Sequence, residues 1–189
     1  MLSPDLLLQG YRLGVFPMGM DNGTIEWFSP DPRAILPLDR FHVPHGLKKK
    51  LAKKAFETRF NSRFSDVIRS CSKRRDTWIT REIIGSYERL HKLGYAHSVE
   101  AWQNGKLAGG LYGVAVGGAF FGESMFHRVT DASKVALVAL VEQLRARKFV
   151  LLDTQWATPH LAQFGVTEVT RAHYLRLLRR AVELQREFV

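Results

Sequence analysis

Three polar side chains stand out in this sequence because they interrupt apolar stretches. Glu123 lies between Phe121 and Met125, and Asp153 and Gln155 come directly after a pair of leucines. Polar groups on apolar strands are costly to bury unless they are hydrogen-bonded or bind a ligand. We therefore take Glu123, Asp153 and Gln155 as candidate functional residues.

The types and spacing of these residues suit a cationic ligand. Strand alternation over residues 119–126 predicts that Glu123 shares a face with Met125. Asp153 and Gln155 are two residues apart, so on a strand they share a face and lie roughly 7 Å from each other. We expect them to face the same open end of the sheet as Glu123. The alternative for Glu123 is a buried acid that pairs with an arginine or lysine for structural reasons.

The elements that must position these residues have the period of strands. An antiparallel meander is predicted from residues 96–103, 106–116 and 119–126. Asn104-Gly105 is typical of a two-residue hairpin turn. A long helix capped by Asp131 follows, and residues 149–154 then predict a further strand that carries Asp153.

The chain before the meander divides into two parts. Ser3-Pro4-Asp5 predicts the start of a short helix, and two brief strands follow at 25–28 and 34–36. After Pro44 the pattern indicates a basic helix. A strand at residues 55–60 and two amphipathic helices at residues 62–74 and 80–93 follow it. We predict an α+β (mixed α/β) fold with a small N-terminal subdomain at residues 1–38 and a larger domain at 39–189.

Composition narrows the setting. The chain has 189 residues and is 46% hydrophobic, enough to close a core. Cys71 is the only cysteine, so no internal disulfide can form, and no Cys/His spacing resembles a zinc site. We see neither an export signal nor a membrane span, and expect a cytoplasmic protein without a membrane partner, metal or cofactor.

The chain is strongly basic, with 28 lysines and arginines against 18 acidic residues and a formal net charge of +10. Such an excess favours a polyanionic partner such as nucleic acid. Two basic clusters precede the meander and include Lys48, Lys49, Lys50, Lys53, Lys54, Arg74 and Arg75. The alternative is a pair of solvated helix faces. Trp78 follows these clusters in a short link, where its ring can wall a pocket or stack on a base, or belong to the core.

Eight ordered motifs run along nearly the whole chain: Tyr11-Arg-Leu-Gly-Val-Phe-Pro17, Trp27-Phe-Ser-Pro-Asp-Pro-Arg33, Thr77-Trp-Ile79, Ala96-His-Ser-Val-Glu-Ala-Trp102, Gly109-Gly-Leu-Tyr-Gly113, Gly122-Glu-Ser-Met-Phe126, Ala132-Ser-Lys134 and Leu152-Asp-Thr-Gln155. In this order they resemble the bacterial leucyl/phenylalanyl-tRNA–protein transferase family. The sequence departs from the family pattern at Met18, where a tryptophan is usual, and at Thr158, where an asparagine is frequent.

The resemblance implies a fold, an activity and a set of site residues. The larger domain would be GNAT-like, that is, similar to the acetyltransferase superfamily. The activity would be transfer of leucine, phenylalanine or, less readily, methionine from aminoacyl-tRNA to proteins that begin with arginine or lysine, which marks them for degradation (the N-end rule pathway). By motif, Glu123, Asp153 and Gln155 correspond to the catalytic residues, and the aminoacyl and adenosine pocket corresponds to Trp78, Tyr87, Ser124, Met125 and Phe126.

The candidate residues suit that reaction, the aminolysis of an ester. An α-amino group with a pKa of about 7.7–8.0 is already neutral in roughly a tenth of molecules at pH 7, so no strong base is demanded. The Gln155 carbonyl can accept a hydrogen bond from the attacking amine, while Asp153 orients the amine or stabilises its charge. We expect the two positive charges of the acceptor to meet Glu123 and Asp153.

Two other functions remain open from the sequence. A meander of this kind also suggests an acyl-CoA-dependent N-acetyltransferase, but residues 127–133 contain no glycine for a pyrophosphate loop. The charge and the aromatic residues also suit an RNA-binding module without enzymatic activity, which would leave Glu123, Asp153 and Gln155 unexplained.

Overall fold

The computed structural model describes residues 1–74 and 77–189, which form seven helices and nine strands. The helices are α1 (Pro4–Arg12), α2 (His45–Ala52), α3 (Phe64–Cys71), α4 (Arg81–Lys92), α5 (Ala132–Ala146), α6 (Pro159–Ala162) and α7 (Arg171–Val182). The strands are β1 (Phe16–Gly19), β2 (Ile25–Phe28), β3 (Arg33–Ile35), β4 (Glu57–Phe60), β5 (Ala96–Gln103), β6 (Lys106–Val116), β7 (Ala119–His127), β8 (Leu151–Gln155) and β9 (Thr167–Val169).

Seven of these strands form one mixed sheet, in the order β4-β5-β6-β7-β8-β3-β9, and β1 pairs with β2 separately. The buried side chains form two clusters. One unites α1, α3, α4 and α7 with the sheet, and the other unites it with α5, α2 and α6. Most residues of helix α5 are buried, which is possible because the helix is apolar on nearly all of its faces. The predicted mixed α/β class is therefore confirmed. None of the helices in the described ranges is long and apolar enough to cross a membrane.

The meander forms as predicted. Strands β5 and β6 have the predicted bounds, and Gln103 pairs with Lys106 across the turn. Asn104 and Gly105 both have positive φ, 51° and 70°, as a type I′ hairpin turn requires. The sequence signal was sufficient here because the pairing is local.

Strand β7 does not alternate regularly. The register between β6 and β7 shifts from Tyr112 opposite Ser124 to Gly113 opposite Gly122, which leaves Glu123 as an extra residue. A bulge of this kind disrupts the ladder and re-aims side chains. Met125 packs in the cluster of α5, whereas Glu123 bonds to a side chain of the opposite cluster. The prediction that Glu123 and Met125 share a face is wrong.

The sheet is mixed because β7 and β8 run parallel. They pair only from Ala119 opposite Leu151 to Phe121 opposite Asp153. Residues 33–35, which the sequence assigned to the N-terminal subdomain, form β3 next to β8 in the same sheet. The short strands β1 and β9 were not predicted from the sequence.

Asp131 precedes α5, but it does not cap the helix with its side chain. Its φ is 70°, and its carboxylate instead bonds Lys50 and, at 3.0 Å, Lys134. The predicted N-cap position of Asp131 is therefore confirmed, but the side-chain hydrogen bond of a cap is absent. The residue links the basic helix α2 to the start of α5.

Candidate active site

A cavity of about 440 Å³ opens beyond the last paired residues of β7 and β8. Glu123, Ser124 and Met125 line it from β7, and Thr154 and Gln155 line it from β8. The cavity thus lies where two parallel strands cease to pair. Two of the three residues singled out as catalytic, Glu123 and Gln155, meet there.

Glu123 is held by a cluster of hydroxyl and amide groups. Its Oε1 accepts hydrogen bonds from the Tyr11 hydroxyl at 2.7 Å and from Gln155 Nε2 at 3.1 Å, and its Oε2 lies 3.4 Å from the Tyr87 hydroxyl. Tyr11 and Tyr87 also bond each other. Within residues 1–74 and 77–189 the hydrogen-bond partners of Glu123 are neutral, so the alternative of a pair with an arginine or lysine is not found among them.

Burial dominates the electrostatics of Glu123. Its residue is 8% exposed, and loss of water raises the pKa of its carboxyl to about 7, although the hydroxyl of Tyr11 favours the ionised form. The nearby Asp153 carboxylate raises this pKa further. Glu123 therefore changes charge near neutral pH, in the range where an α-amino group also titrates.

This raised pKa predicts how stability depends on pH. Between pH about 4.5 and about 7 the folded chain keeps a proton on Glu123 that the unfolded chain has lost, so the free energy of unfolding falls as pH rises through this range. We expect the free energy of unfolding of Glu123→Gln to lack that decline. The difference in free energy of unfolding between the variant and wild type should therefore shift in favour of the variant by on the order of 3 kcal/mol from pH 4 to pH 8. Urea unfolding across this pH range measures it.

The control for this experiment is Glu26→Gln, at an exposed glutamate of β2, which should keep the wild-type dependence on pH. If Glu123→Gln and wild type show parallel pH dependence, Glu123 ionises normally and the interpretation is contradicted.

Gln155 has an unusual backbone and a directed side chain. Its φ is 61°, a left-handed conformation that costs a residue with a Cβ on the order of 1–2 kcal/mol. The carboxamide donates to Glu123 through Nε2. Its carbonyl oxygen accepts no hydrogen bond from the described part of the chain and belongs to a residue that lines the cavity.

Asp153 lies behind the cavity. It is 0% exposed, and Arg33, itself 1% exposed, binds both of its oxygens through Nε at 3.0 Å and Nη2 at 2.6 Å. Tyr174 donates to Oδ2 at 2.7 Å, and the backbone N–H of Gln155 donates to Oδ1 at 2.9 Å. The expectation that Asp153 meets the charge of an acceptor is wrong, because an arginine of the protein already neutralises it.

The predicted pocket residues divide into two groups. Trp78, Ser124 and Met125 line the cavity. Tyr87 is fully buried behind Glu123, and Phe126 packs in the core beneath Arg128. For these two residues the structure places the side chain outside the cavity rather than on its wall.

Sequence reasoning missed much of the lining. The apolar wall comes from β6, α5 and β8, through Leu111, Leu137, Leu140 and Leu152. Tyr11 and Arg33, which hold Glu123 and Asp153, lie 112 and 120 positions away from them. The only signal in the sequence was that both residues fall in the ordered motifs.

Three of the residues that line the cavity each have one buried polar atom without a partner in the described part of the chain. Within residues 1–74 and 77–189, the Tyr112 hydroxyl, Thr154 Oγ1 and His160 Nε2 are buried without a hydrogen bond, and all three residues line the cavity. Buried polar groups are normally satisfied, so an unpaired set around one cavity points to a ligand with polar groups. Together with the leucines, they suit a ligand that is apolar on one side and polar on the other.

Of the predicted basic-cluster residues that the structure describes, only Arg74 lines the cavity. Lys48, Lys49, Lys53 and Lys54 are exposed on α2 or just after it, and Lys50 pairs with Asp131. Arg74 lines the cavity and donates to the carbonyl of Met125. Arg75 falls outside the residues that the structure describes.

Known proteins similar to this chain agree with one another. The family described as leucyl/phenylalanyl-tRNA protein transferase matches residues 35–179, and the N-terminal domain of the same family matches residues 1–31. Relatives named leucyl/phenylalanyl-tRNA–protein transferase are 56% identical in Salinibacter ruber (97% of this chain, 81% of the relative), 54% in Akkermansia muciniphila (97% and 98%) and 55% in Herpetosiphon aurantiacus (99% and 98%).

Among solved structures, L-PGS from Bacillus licheniformis aligns with 85% of this chain and 55% of its own length, at 12% identity and a TM-score of 0.46. A likeness this weak carries no weight for fold or function. The sequence relatives do, since they match almost the full chain at more than half of its positions. The chain therefore belongs to the leucyl/phenylalanyl-tRNA–protein transferase family.

Proposed function

We propose that this protein transfers leucine, phenylalanine and, less readily, methionine from aminoacyl-tRNA to proteins that begin with arginine or lysine, marking them for degradation. The observation that carries the proposal is the cavity of about 440 Å³, which combines a leucine wall with the unpaired polar atoms and with Gln155 and Glu123. An aminoacyl ester has the same division, with an apolar side chain beside a ribose ester. Membership of the family supports this assignment.

In this proposal the leucine wall receives the aminoacyl side chain. Leu111, Leu137, Leu140 and Leu152 offer no polar group, so a polar side chain would lose its hydrogen bonds to water on entry. Discrimination among leucine, phenylalanine and methionine is then modest, because a methylene is worth only about 1–3 kcal/mol. Trp78 lines the same cavity and would contact the terminal adenosine of the tRNA.

Gln155 and Glu123 would act on the acceptor. The side-chain carbonyl oxygen of Gln155, which has no hydrogen-bond partner among the described residues, accepts a hydrogen bond from the attacking amine and so orients the lone pair of the amine toward the ester. Glu123, which lines the cavity beside it, attracts the positive charges of an N-terminal arginine or lysine once it is ionised. Positioning of this kind supplies several kcal/mol without a strong base.

The direct test is the transfer of labelled leucine from Leu-tRNA to peptides that begin with Arg, Lys or Ala. We expect product with the Arg and Lys peptides and little with the Ala peptide. An absence of transfer to all three would reject the proposal.

Two simple experiments separate the alternatives. An acyl-CoA-dependent N-acetyltransferase would be protected by acetyl-CoA in a thermal-shift assay, which we do not expect because residues 127–133, just before and at the start of α5, contain no glycine for a pyrophosphate loop. An RNA-binding module would bind tRNA in a filter assay but show no transfer to any peptide.

The lysines around α2 would hold tRNA phosphates. We expect replacement of Lys48, Lys49 and Lys53 by alanine to raise the KM for aminoacyl-tRNA. It should also make tRNA affinity less dependent on salt: the slope of log affinity against log salt concentration should become shallower by about 0.7–0.9 for each phosphate that no longer contacts a lysine. Filter binding at several salt concentrations measures the slope. Lys50 is left intact because it pairs with Asp131.

The matched control for the lysine variant is Lys92→Ala, at an exposed lysine of α4. A triple variant with the same salt slope as wild type would show that these lysines form only a solvated face.

The finer organisation is also a proposal. Residues 39–189 would form the GNAT-like domain and residues 1–38 the N-terminal subdomain, acting in the cytoplasm. The meander of β5–β7 followed by α5 and the parallel strand β8 supports the GNAT-like assignment.

A further inference from the structure

The ion pair of Arg33 and Asp153 lies directly behind Gln155. The Arg33 guanidinium packs between the rings of Phe16 and Tyr174, at 4.9 and 4.5 Å from their centroids. Its Nη1 donates to the carbonyl of Gly14 at 3.1 Å, and Nε and Nη2 bind the two oxygens of Asp153. In the proposed transfer reaction no substrate group needs to contact Arg33, which is buried behind the cavity.

The Asp153 carboxylate has no capacity left for a ligand. It accepts four hydrogen bonds, two from Arg33, one from the Tyr174 hydroxyl and one from the backbone N–H of Gln155. A carboxylate offers about four lone-pair sites, so all of them are used. Asp153 therefore acts within the protein, and the one of its bonds that leads toward the cavity is the bond to Gln155.

That bond bears on the conformation of Gln155. The residue has a left-handed φ of 61°, which persists only where surrounding contacts impose it. The bond from its N–H to Asp153 Oδ1 is one such contact, and the carboxamide is then directed at Glu123. The arrangement is a chain of contacts from Arg33 through Asp153 to the side chain of Gln155.

We propose that Arg33 is a positioning residue for acyl transfer, which holds Asp153 so that the Asp153 carboxylate fixes the left-handed turn and aims the Gln155 carboxamide at the attacking amine. The inference rests on the proposed function. It assigns Tyr174 the same role to a lesser degree, since its hydroxyl supplies one of the four bonds to Asp153.

The test is a double-mutant cycle on kcat, measured with saturating Leu-tRNA and a peptide that begins with Arg. Arg33→Lys keeps the charge but loses the two-pronged geometry, and we expect kcat to fall about 10- to 100-fold with KM for Leu-tRNA within about twofold. Tyr174→Phe keeps the ring against Arg33 and loses only the hydroxyl, and we expect a fall of about 3- to 10-fold. In a Gln155→Ala background, each of the two changes should lower kcat by less than about twofold relative to Gln155→Ala alone.

A purely structural role would instead lower kcat by the same factor with and without Gln155, and that result overturns the proposal. An unchanged kcat with a raised KM overturns it as well. Arg59→Lys is the matched control, because Arg59 also binds a carboxylate in forked geometry, that of Glu57, but at the exposed edge of the sheet. If Arg33→Lys does not fold, Tyr174→Phe completes the cycle alone.

The outcomes also separate this inference from the proposed function. A wild-type chain that transfers leucine while Arg33→Lys and Tyr174→Phe are fully active rejects the positioning role and leaves the proposed function intact. A wild-type chain without transfer rejects both.

Discussion

Replacement of Asp153 by alanine is expected to lower the free energy of unfolding by about 3–5 kcal/mol. The change removes the counter-charge of Arg33, whose guanidinium is 1% exposed and cannot reach water without disrupting the packing of Phe16 and Tyr174. It also leaves the Tyr174 hydroxyl and the N–H of Gln155 without their acceptor. Urea unfolding at pH 7 measures the loss.

Two variants make this measurement specific. Asp153→Asn keeps the shape of the side chain but not its charge, so it should remain clearly destabilised, which would identify the uncompensated guanidinium as a cause. Glu57→Gln breaks a pair of the same kind with Arg59 at the exposed edge of the sheet and should leave the unfolding midpoint unchanged. An Asp153→Ala variant as stable as wild type would contradict the assignment of a buried ion pair.

Replacement of Gln155 by alanine is expected to lower kcat for leucine transfer by about 100-fold or more, with little change in tRNA affinity. The variant loses the carbonyl oxygen that orients the amine and the Nε2 donor to Glu123, whereas the exposed lysines of α2 are untouched. Single-turnover transfer from Leu-tRNA gives the rate, and filter binding gives the affinity. Glu123→Ala should likewise affect transfer far more than binding.

The control is Gln103→Ala at the end of β5, where the carboxamide bonds only the carbonyl of Ala55 within the described chain. It should transfer leucine at the wild-type rate. If Gln155→Ala does so too, Gln155 has no part in the reaction, whereas a parallel loss of tRNA affinity would mean that it serves binding.

The candidate residues were recognised from sequence for a sound reason, but one of them for the wrong role. Glu123, Asp153 and Gln155 all interrupt apolar runs, and all three are buried. Burial of a polar group requires a partner in every case, yet the sequence does not say whether this partner is protein or ligand. For Asp153 the partner is a residue of the protein. The arginine that was considered as a partner of Glu123 is a partner of Asp153 instead.

Local patterns determined several features of this protein. The period of residues 96–126 predicted the meander, and Asn104-Gly105 predicted its first turn, because both depend on neighbours in the chain. The net charge of +10 indicated a polyanionic partner, and the ordered motifs indicated the family. None of these inferences required a long-range contact.

The tertiary structure alone decided how the site is assembled. Tyr11 reaches Glu123 and Arg33 reaches Asp153 across more than a hundred positions, and no period in the sequence encodes such contacts. The bulge at Glu123 and the left-handed turn at Gln155 depend on register and on hydrogen bonds formed only after folding. The sequence thus identified which residues are unusual, and the packing of distant segments determined which of them face a ligand.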